Sequence, residues 1–152
     1  MKVAAIVLGL MFVVQLATAG TATSAVQLPR QCQVSGKVLC VSKTDRKLRF
    51  VVNGHIKLVL DARFGDARGS GFRTAEGSFT IFRKEVNSWS ESYGVNMPYS
   101  MYFHNGQAIH YSYSFASEGY SGASHGCINT RDLSKLAWLY KKVPLGTPVY
   151  IY

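Results

Sequence analysis

The chain has 152 residues, 47% of them hydrophobic, and its 17 Lys and Arg against 8 Asp and Glu give a formal net charge of +9. This length fits one domain and is enough to bury a hydrophobic core. The basic residues are scattered along the chain, and no helix-turn-helix, zinc-finger or aromatic RNA-binding signature accompanies them. The composition therefore argues against a nucleic-acid-binding protein.

The first nineteen residues have the pattern of a secretory signal peptide. Lys2 precedes an apolar run over residues 3–14, and Ala17-Thr18-Ala19 supplies the small-x-small pattern of a cleavage site. The apolar run is shorter than the roughly 20 residues that a membrane-spanning helix requires. We therefore predict a signal peptide over 1–19, a short lead-in over 20–35 and an exported, extracytoplasmic protein. Its basic surface would favour anionic cell-surface polymers as partners.

An Asn-Gly pair predicts a β-hairpin near the start of the exported chain. LRFVV (48–52) and HIKLVL (55–60) flank Asn53-Gly54, a strong signal for a two-residue turn. Such a turn would put the apolar residues of the two strands on opposite faces, so either both faces are covered or a bulge shifts the register. We expect a glycine-rich loop over 61–77, a strand over 77–84 and a polar, aromatic loop over 87–98.

A second Asn-Gly hairpin joins SMYF (100–103) to QAIHY (107–111). A two-residue turn would place Met101 opposite His110, and this histidine would lie at a strand end. Residues 113–123 are predicted to form a loop of small and aromatic residues.

One helix is clear from its periodicity. Apolar residues recur at i, i+3, i+4 and i+7 between Leu133 and Tyr140. Thr130 or Asp132 can begin the helix, and Pro144 ends it. A closing strand over 147–152 completes a fold that is mainly β with one clear helix.

Three cysteines remain after the leader: Cys32, Cys40 and Cys127. An exported compartment permits disulfides, and an odd number leaves one thiol unpaired. Three pairings are possible. The short separation of Cys32 and Cys40, with Ser35-Gly36 between them, favours the local pair and leaves Cys127 free.

A free cysteine near a histidine suggests nucleophilic catalysis. His110 could take the proton of Cys127 to give a thiolate–imidazolium pair, and could then protonate a leaving amine. Such a pair would keep the thiolate present well below the pKa of about 8.5 of a free thiol. Because Cys127 shortly precedes the predicted helix, N–H groups at the helix start could bind a developing oxyanion.

Two other readings of these residues stay open. His125 and Cys127, with His110 or His104, could bind zinc, although the spacing does not match the usual ligand patterns. Alternatively, Cys127 could be an inert buried thiol beside a core histidine. His55 and His104 adjoin the Asn-Gly turns, where a surface position is the simplest interpretation.

The sequence around Cys127 is a more specific signal than the presence of one cysteine and one histidine. Ile109-His110, a loop over 111–123, and SHGCIN (124–129) closely resemble the catalytic signature of bacterial L,D-transpeptidases. CVSKTDRKLRFVVNG resembles that family's opening strand pair, TAEGSF (74–79) its T-P-x-G-x-F segment, and the final helix and strand also fit. The resemblance covers about residues 36–152 and implies an L,D-transpeptidase-like β-sandwich or mixed sheet, with the helix after the catalytic cysteine.

The resemblance also implies a role for each residue of the signature. Cys127 would be the nucleophile and His110 the general base and acid, oriented by the backbone carbonyl of Tyr111. Gly126 and Cys127 would supply oxyanion-binding N–H groups. Ser124, His125 and Asn129 would shape the loop around Cys127 (124–129), here called the nucleophile loop.

The implied reaction is acyl transfer on peptidoglycan stem peptides through a cysteine thioester, giving 3→3 cross-links without a cofactor or metal. Water as the acceptor would instead give L,D-carboxypeptidase activity. A protein of another class, a non-catalytic basic module that binds the cell wall, is the remaining alternative. In each case we expect a monomer that works at the cell wall or is secreted.

Overall fold

The computed structural model describes residues 26–66 and 72–152. The signal peptide predicted over 1–19 and the first part of the lead-in lie outside the described residues. The described chain forms the following strands and helices: β1 Lys37–Ser42, β2 Lys47–Val52, β3 His55–Asp61, β4 Gly77–Thr80, β5 Arg83–Ser90, β6 Val95–His104, β7 Gln107–Tyr111, α1 Tyr113–Glu118, β8 Ile128–Thr130, α2 Leu133–Lys142 and β9 Pro148–Ile151.

The strands form two sheets, in agreement with the mainly β sandwich or mixed sheet expected from the sequence. The first sheet has the order β3-β2-β1-β9-β4, and the second has the order β5-β6-β7-β8. Each contains one parallel pair, β1 with β9 and β7 with β8, among antiparallel neighbours. The parallel pairing of β7 and β8 sets His110 beside Asn129 in the register.

One continuous core joins the two sheets and α2. Leu39 and Phe50 from the first sheet share it with Ile109 and Ile128 from the second, and Leu136 from α2 is fully buried in it. Asp132 begins α2, because its side chain accepts a hydrogen bond from the Lys135 N–H. Burying Ile109 and Ile128 fixes both strands that carry the residues of the signature.

The first Asn-Gly hairpin forms as predicted, with a shift in register and with both faces covered along β2 but not along the mostly exposed β3. A register shift lies between Phe50 and Val51, and four of the six residues of β2 are buried. Asn53 and Gly54 both have positive φ, as a type I′ turn requires.

The second hairpin also forms, but the predicted pairing of Met101 with His110 is wrong. His104 pairs with Gln107 across the turn, an irregularity follows between Tyr102 and His104, and Met101 therefore lies opposite Ile109. The extra residue in β6 shifts every later pair by one position. Turn chemistry alone gives no sign of such a bulge.

Residues 87–98, expected as a loop, are instead part of a long hairpin formed by β5 and β6. Buried and exposed residues do not alternate regularly along the outer part of this hairpin. Most of that part is exposed, including Val86, Trp89 and Val95. The strand expected over 77–84 is likewise two strands in different sheets, β4 and β5, with the chain crossing between them at Ile81 and Phe82. A largely exposed ribbon with few buried positions, such as Ser88 and Met97, lacks the apolar alternation by which strands are recognised.

The segment 113–123 contains a short helix rather than only a loop, so α2 is not the only helix. Ser112 caps α1 by accepting a hydrogen bond from the Phe115 N–H, and α1 ends at Gly119, whose φ is +63°. Six residues are too few to give a helical period in the sequence. Among the described residues, no helix is both long and apolar enough to cross a membrane.

Candidate active site

Cys127 lies at the end of a tight loop, immediately before β8. It is half-buried and free, whereas Cys32 and Cys40 form a disulfide. Its Sγ accepts a hydrogen bond of 3.5 Å from the Ala108 N–H on β7. Because a strand separates Cys127 from α2, the expectation that the start of this helix supplies oxyanion-binding N–H groups is wrong.

Side chains on both sides hold the carbonyl of Cys127. Ser124 Oγ donates to it at 2.5 Å, and Thr74 Oγ1 approaches it at 3.4 Å. Thr74 in turn accepts a hydrogen bond from the Gly65 N–H at 2.9 Å, and the Ser124 N–H donates to the Phe64 carbonyl at 3.0 Å. The nucleophile loop is therefore fixed at its base. The sequence suggested Ser124 for this task but gave Thr74 no role.

Gly126 is required by both conformation and space. Its φ is +103°, and a Cβ there would lie 2.9 Å from Nε2 of Gln107. The Gln107 amide joins β7 to the preceding loop, since it accepts from the Ala75 N–H and donates to the Arg73 carbonyl, both at 3.0 Å. A larger residue at 126 would disturb this connection as well as the loop.

His110 is 5% exposed and lies on β7. Its Nδ1 is 2.7 Å from the Tyr111 carbonyl. Because a carbonyl can only accept, Nδ1 carries the hydrogen, and Nε2 is left as the atom that can take a proton. Thr130 Oγ1 donates to the His110 carbonyl at 3.2 Å and ties the residue to β8.

Burial favours the neutral forms of both groups. It lowers the pKa of His110 to about 4, against the raising effect of the Tyr111 carbonyl, and the nearby Arg63 lowers it further. Burial also raises the pKa of the Cys127 thiol, although the Ala108 N–H opposes this. Burial of both groups thus opposes the expected thiolate–imidazolium pair and favours a neutral thiol beside a neutral imidazole.

The ring of His125 packs against the long hairpin formed by β5 and β6. His125 is exposed, its ring stacks on Tyr93 with centroids 4.1 Å apart, and Phe72 meets it edge-on at 5.0 Å. Tyr93 lies in the turn between β5 and β6. The tip of the long hairpin therefore rests on the nucleophile loop.

These residues surround one cavity of 790 Å³. Cys127, His110, Asn129, Ser124 and His125 line it, and the long hairpin contributes Trp89, Tyr93 and Met97 among others. Tyr111 and Gly126 are not among the residues that line the cavity. Within residues 26–66 and 72–152, no three His, Cys, Asp or Glu side chains are grouped as a metal site would require.

Arg63 also lines the cavity, although the sequence marked it only as one of many scattered basic residues. It is 4% exposed, and its backbone pairs with that of Asn129 through hydrogen bonds of 3.0 and 2.9 Å. Its side chain donates to Ser114 Oγ at 2.6 Å and to the Gly119 carbonyl at 3.2 Å. An isolated arginine before a loop carries no sequence signal for such a position.

Comparison with solved structures gives the same fold. An L,D-transpeptidase from Stackebrandtia nassauensis is 31% identical with a TM-score of 0.69, and the alignment covers 87% of this chain and 60% of that protein. For an L,D-transpeptidase from Xylanimonas cellulosilytica the identity is 28%, the TM-score 0.68, and the coverage 84% and 65%. The fold of the L,D-transpeptidase LdtMt1, solved in complex with imipenem, is also similar, with 24% identity, a TM-score of 0.68, and coverage of 77% and 59%. The chain thus spans less than two thirds of the length of these proteins.

No protein of curated function matches the sequence. The L,D-transpeptidase catalytic domain family, YkuD, matches it over residues 36–151. This match takes in both sheets, α2, Cys127 and His110. The chain belongs to the family of L,D-transpeptidase catalytic domains.

Proposed function

We propose that this protein is a peptidoglycan L,D-transpeptidase that joins stem peptides by 3→3 cross-links through a thioester on Cys127. The observation that carries the proposal is the free thiol of Cys127 in one cavity with a neutral His110 whose Nε2 is available to take a proton. Membership of the family and the resemblance of SHGCIN to its signature support the same reaction.

In the acylation step, Cys127 Sγ attacks the carbonyl carbon of the L,D-bond between the third residue and D-alanine of a donor tetrapeptide. His110 Nε2 removes the thiol proton as the S–C bond forms, because the neutral pair disfavours an earlier transfer. Backbone N–H groups of Gly126 and Cys127 stabilise the oxyanion. The C–N bond then breaks, His110 returns the proton to the departing amine, and D-alanine leaves a thioester.

In the second step, an amine of a neighbouring stem peptide attacks the thioester. His110 takes a proton from this amine, the C–S bond breaks, and the proton returns to the Cys127 sulfur. A new amide links the two stems and the enzyme is regenerated without a cofactor. Water in place of the amine gives the L,D-carboxypeptidase reaction with the same residues.

We further propose that the protein works outside the cytoplasm, at the cell wall or as a secreted monomer. The Cys32–Cys40 disulfide supports an oxidising compartment. The net charge of +9 would favour contact with anionic wall polymers.

Incubation with purified disaccharide-tetrapeptides, followed by mass spectrometry, tests the function. We expect loss of D-alanine and a cross-linked dimer, and neither product with Cys127→Ala. Tripeptide without dimer would favour the carboxypeptidase. Binding to isolated cell walls that persists in Cys127→Ala, with no turnover by the wild type, would favour the non-catalytic module.

A further inference from the structure

Three cavity-lining residues lie side by side on the same face of adjacent backbone segments: His110, Asn129 and Arg63, here called the His–Asn–Arg row. His110 on β7 pairs with Asn129 on β8, and Asn129 pairs with Arg63 on the segment that follows β3. Directly paired residues project to the same face of a sheet. All three therefore border the same part of the cavity.

The cavity wall carries positive charge without acidic side chains. Its described lining residues include Arg63 and Arg83 but no Asp or Glu. Arg83 is half-exposed, lies 3.4 Å from the Glu85 carboxylate, and stacks over the ring of Tyr102 at 3.8 Å, on the long hairpin. Arg63 lines the cavity and is 4% exposed, and a buried guanidinium acts more strongly on a ligand than it would in water.

Arg63 is held in place mainly by uncharged groups and is only weakly paired with a carboxylate. Ser114 and the Gly119 carbonyl fix two of its nitrogens, and its contact with Glu118 is loose, since the nearest oxygen is 3.7 Å away and the Glu118 side chain is 55% exposed. Arg63 Nε and Asn129 Oδ1 are buried without hydrogen-bond partners among the described residues. An oriented guanidinium with unused donors suits a carboxylate.

Given the proposed reaction, on which this inference rests, we infer that Arg63 binds the carboxylate of the leaving D-alanine of the donor stem. His110 protonates the nitrogen of that D-alanine, and the carboxylate is only two bonds away from this nitrogen. When the D-alanine nitrogen lies near His110 Nε2, the D-alanine carboxylate therefore lies close to the His–Asn–Arg row. Arg63 thus selects donors whose chain ends directly after the L,D-bond.

The charge of Arg63 has a second effect on the same row. It opposes protonation of His110 and so helps to keep the imidazole neutral before the substrate arrives. A bound carboxylate would offset that charge. The donor would then favour the imidazolium that forms as Cys127 attacks.

Calorimetric titration of the Cys127→Ala protein with two matched tetrapeptides tests the inference without turnover. One peptide ends in the D-alanine carboxylate and the other in its carboxamide. We expect the acid to bind at least about 10-fold more tightly, as a charge-assisted hydrogen bond predicts. Equal affinities would overturn the inference, while failure of the wild type to release D-alanine in the separate turnover assay would overturn the proposed reaction alone.

Second-site variants in the Cys127→Ala background assign the preference to a residue. Arg63→Gln should bring the acid-to-amide affinity ratio close to one, and Arg63→Lys should leave an intermediate ratio. Arg83→Gln, the matched control from the same cavity, should keep the wild-type ratio. A preference lost with Arg83 and kept without Arg63 would contradict the assignment.

Two further arms cover folding and the source of the carboxylate. Glu118→Gln changes only an exposed side chain. It should raise the acid-to-amide affinity ratio by about 2-fold, because it removes a carboxylate that competes for Arg63. An unchanged or lower ratio would count against Arg63 even if the Arg63 variants fail to fold. Amidation of the third residue's side-chain carboxylate, where the donor has one, should leave the ratio unchanged. A loss of binding confined to that peptide would assign Arg63 to the third residue instead.

Discussion

At the scale of single residues, the structure gives His125 and His110 different surroundings. His125 is two positions from Cys127, yet its ring stacks on Tyr93, whereas His110 lies on β7, which pairs with the strand that follows Cys127. The choice of His110 as the base stays a prediction, which its place beside β8 supports. The attraction of two opposite charges favours the expected ion pair, whereas the loss of solvent around both buried groups favours their neutral forms.

Alkylation of Cys127 by iodoacetamide should therefore rise only above the ordinary thiol pKa of about 8.5, since burial raises this pKa and the reagent requires the thiolate. His110→Ala should abolish turnover while leaving an alkaline alkylation profile. His125→Ala should retain more turnover than His110→Ala. Mass spectrometry of the labelled protein across pH 5 to 10 measures the profile. Rapid labelling near pH 6 that disappears in His110→Ala would instead establish the ion pair.

At the scale of elements, sequence patterns located those parts of the fold that have a local signal. Asn53-Gly54 specified the first hairpin, and the apolar period from Leu133 specified α2. The sequence could not reveal the bulge in β6, because the Asn-Gly turn carries no signal for it and the resulting register sets Met101 in the core opposite Ile109. Nor could it identify Arg63, whose position depends on a non-local backbone pairing with Asn129.

The tip of the long hairpin provides a test at this scale. Tyr93→Ala removes the stacking on His125, and an aromatic pair of this kind contributes about 0.5–1.5 kcal/mol. We expect the melting temperature to fall by a few °C at most, and KM for the donor to rise by about 2- to 10-fold because the hairpin tip is no longer held against the loop of Cys127. Tyr93→Phe keeps the ring and should behave like the wild type. If KM is the same for Tyr93→Ala and the wild type, the contact between hairpin and nucleophile loop plays no part in donor binding.

At the scale of the whole molecule, one disulfide and one continuous core support a site whose central histidine is buried in its neutral form. Cys32–Cys40 joins the 3₁₀ turn at Arg30–Cys32 to β1, on the side of the first sheet that also carries Val38 and Val51. The main core lies between the sheets and includes Ile109, next to His110. Protonation of His110 is therefore coupled to the folding equilibrium of the entire domain.

The free energy of unfolding should depend on pH through this histidine. Its folded pKa of about 4 lies below the unfolded value of 6.5, so the unfolded state binds more protons between these values. The contribution of neutral His110 is fully present above pH 6.5 and is lost as pH falls towards 4, by roughly 3 kcal/mol over that window.

Urea denaturation of the wild type and His110→Gln at half-unit steps of pH measures this contribution. The free energy of unfolding of His110→Gln should vary less between pH 6.5 and 4 than that of the wild type. Acidic side chains with lowered pKa values, such as Asp61 and Asp132, affect both proteins at lower pH, so their effect cancels in the difference between the two curves. His55→Gln, which changes an exposed histidine at the first hairpin, should follow the wild-type curve. Parallel curves for the wild type and His110→Gln would show that the buried imidazole does not govern the acid sensitivity of the fold.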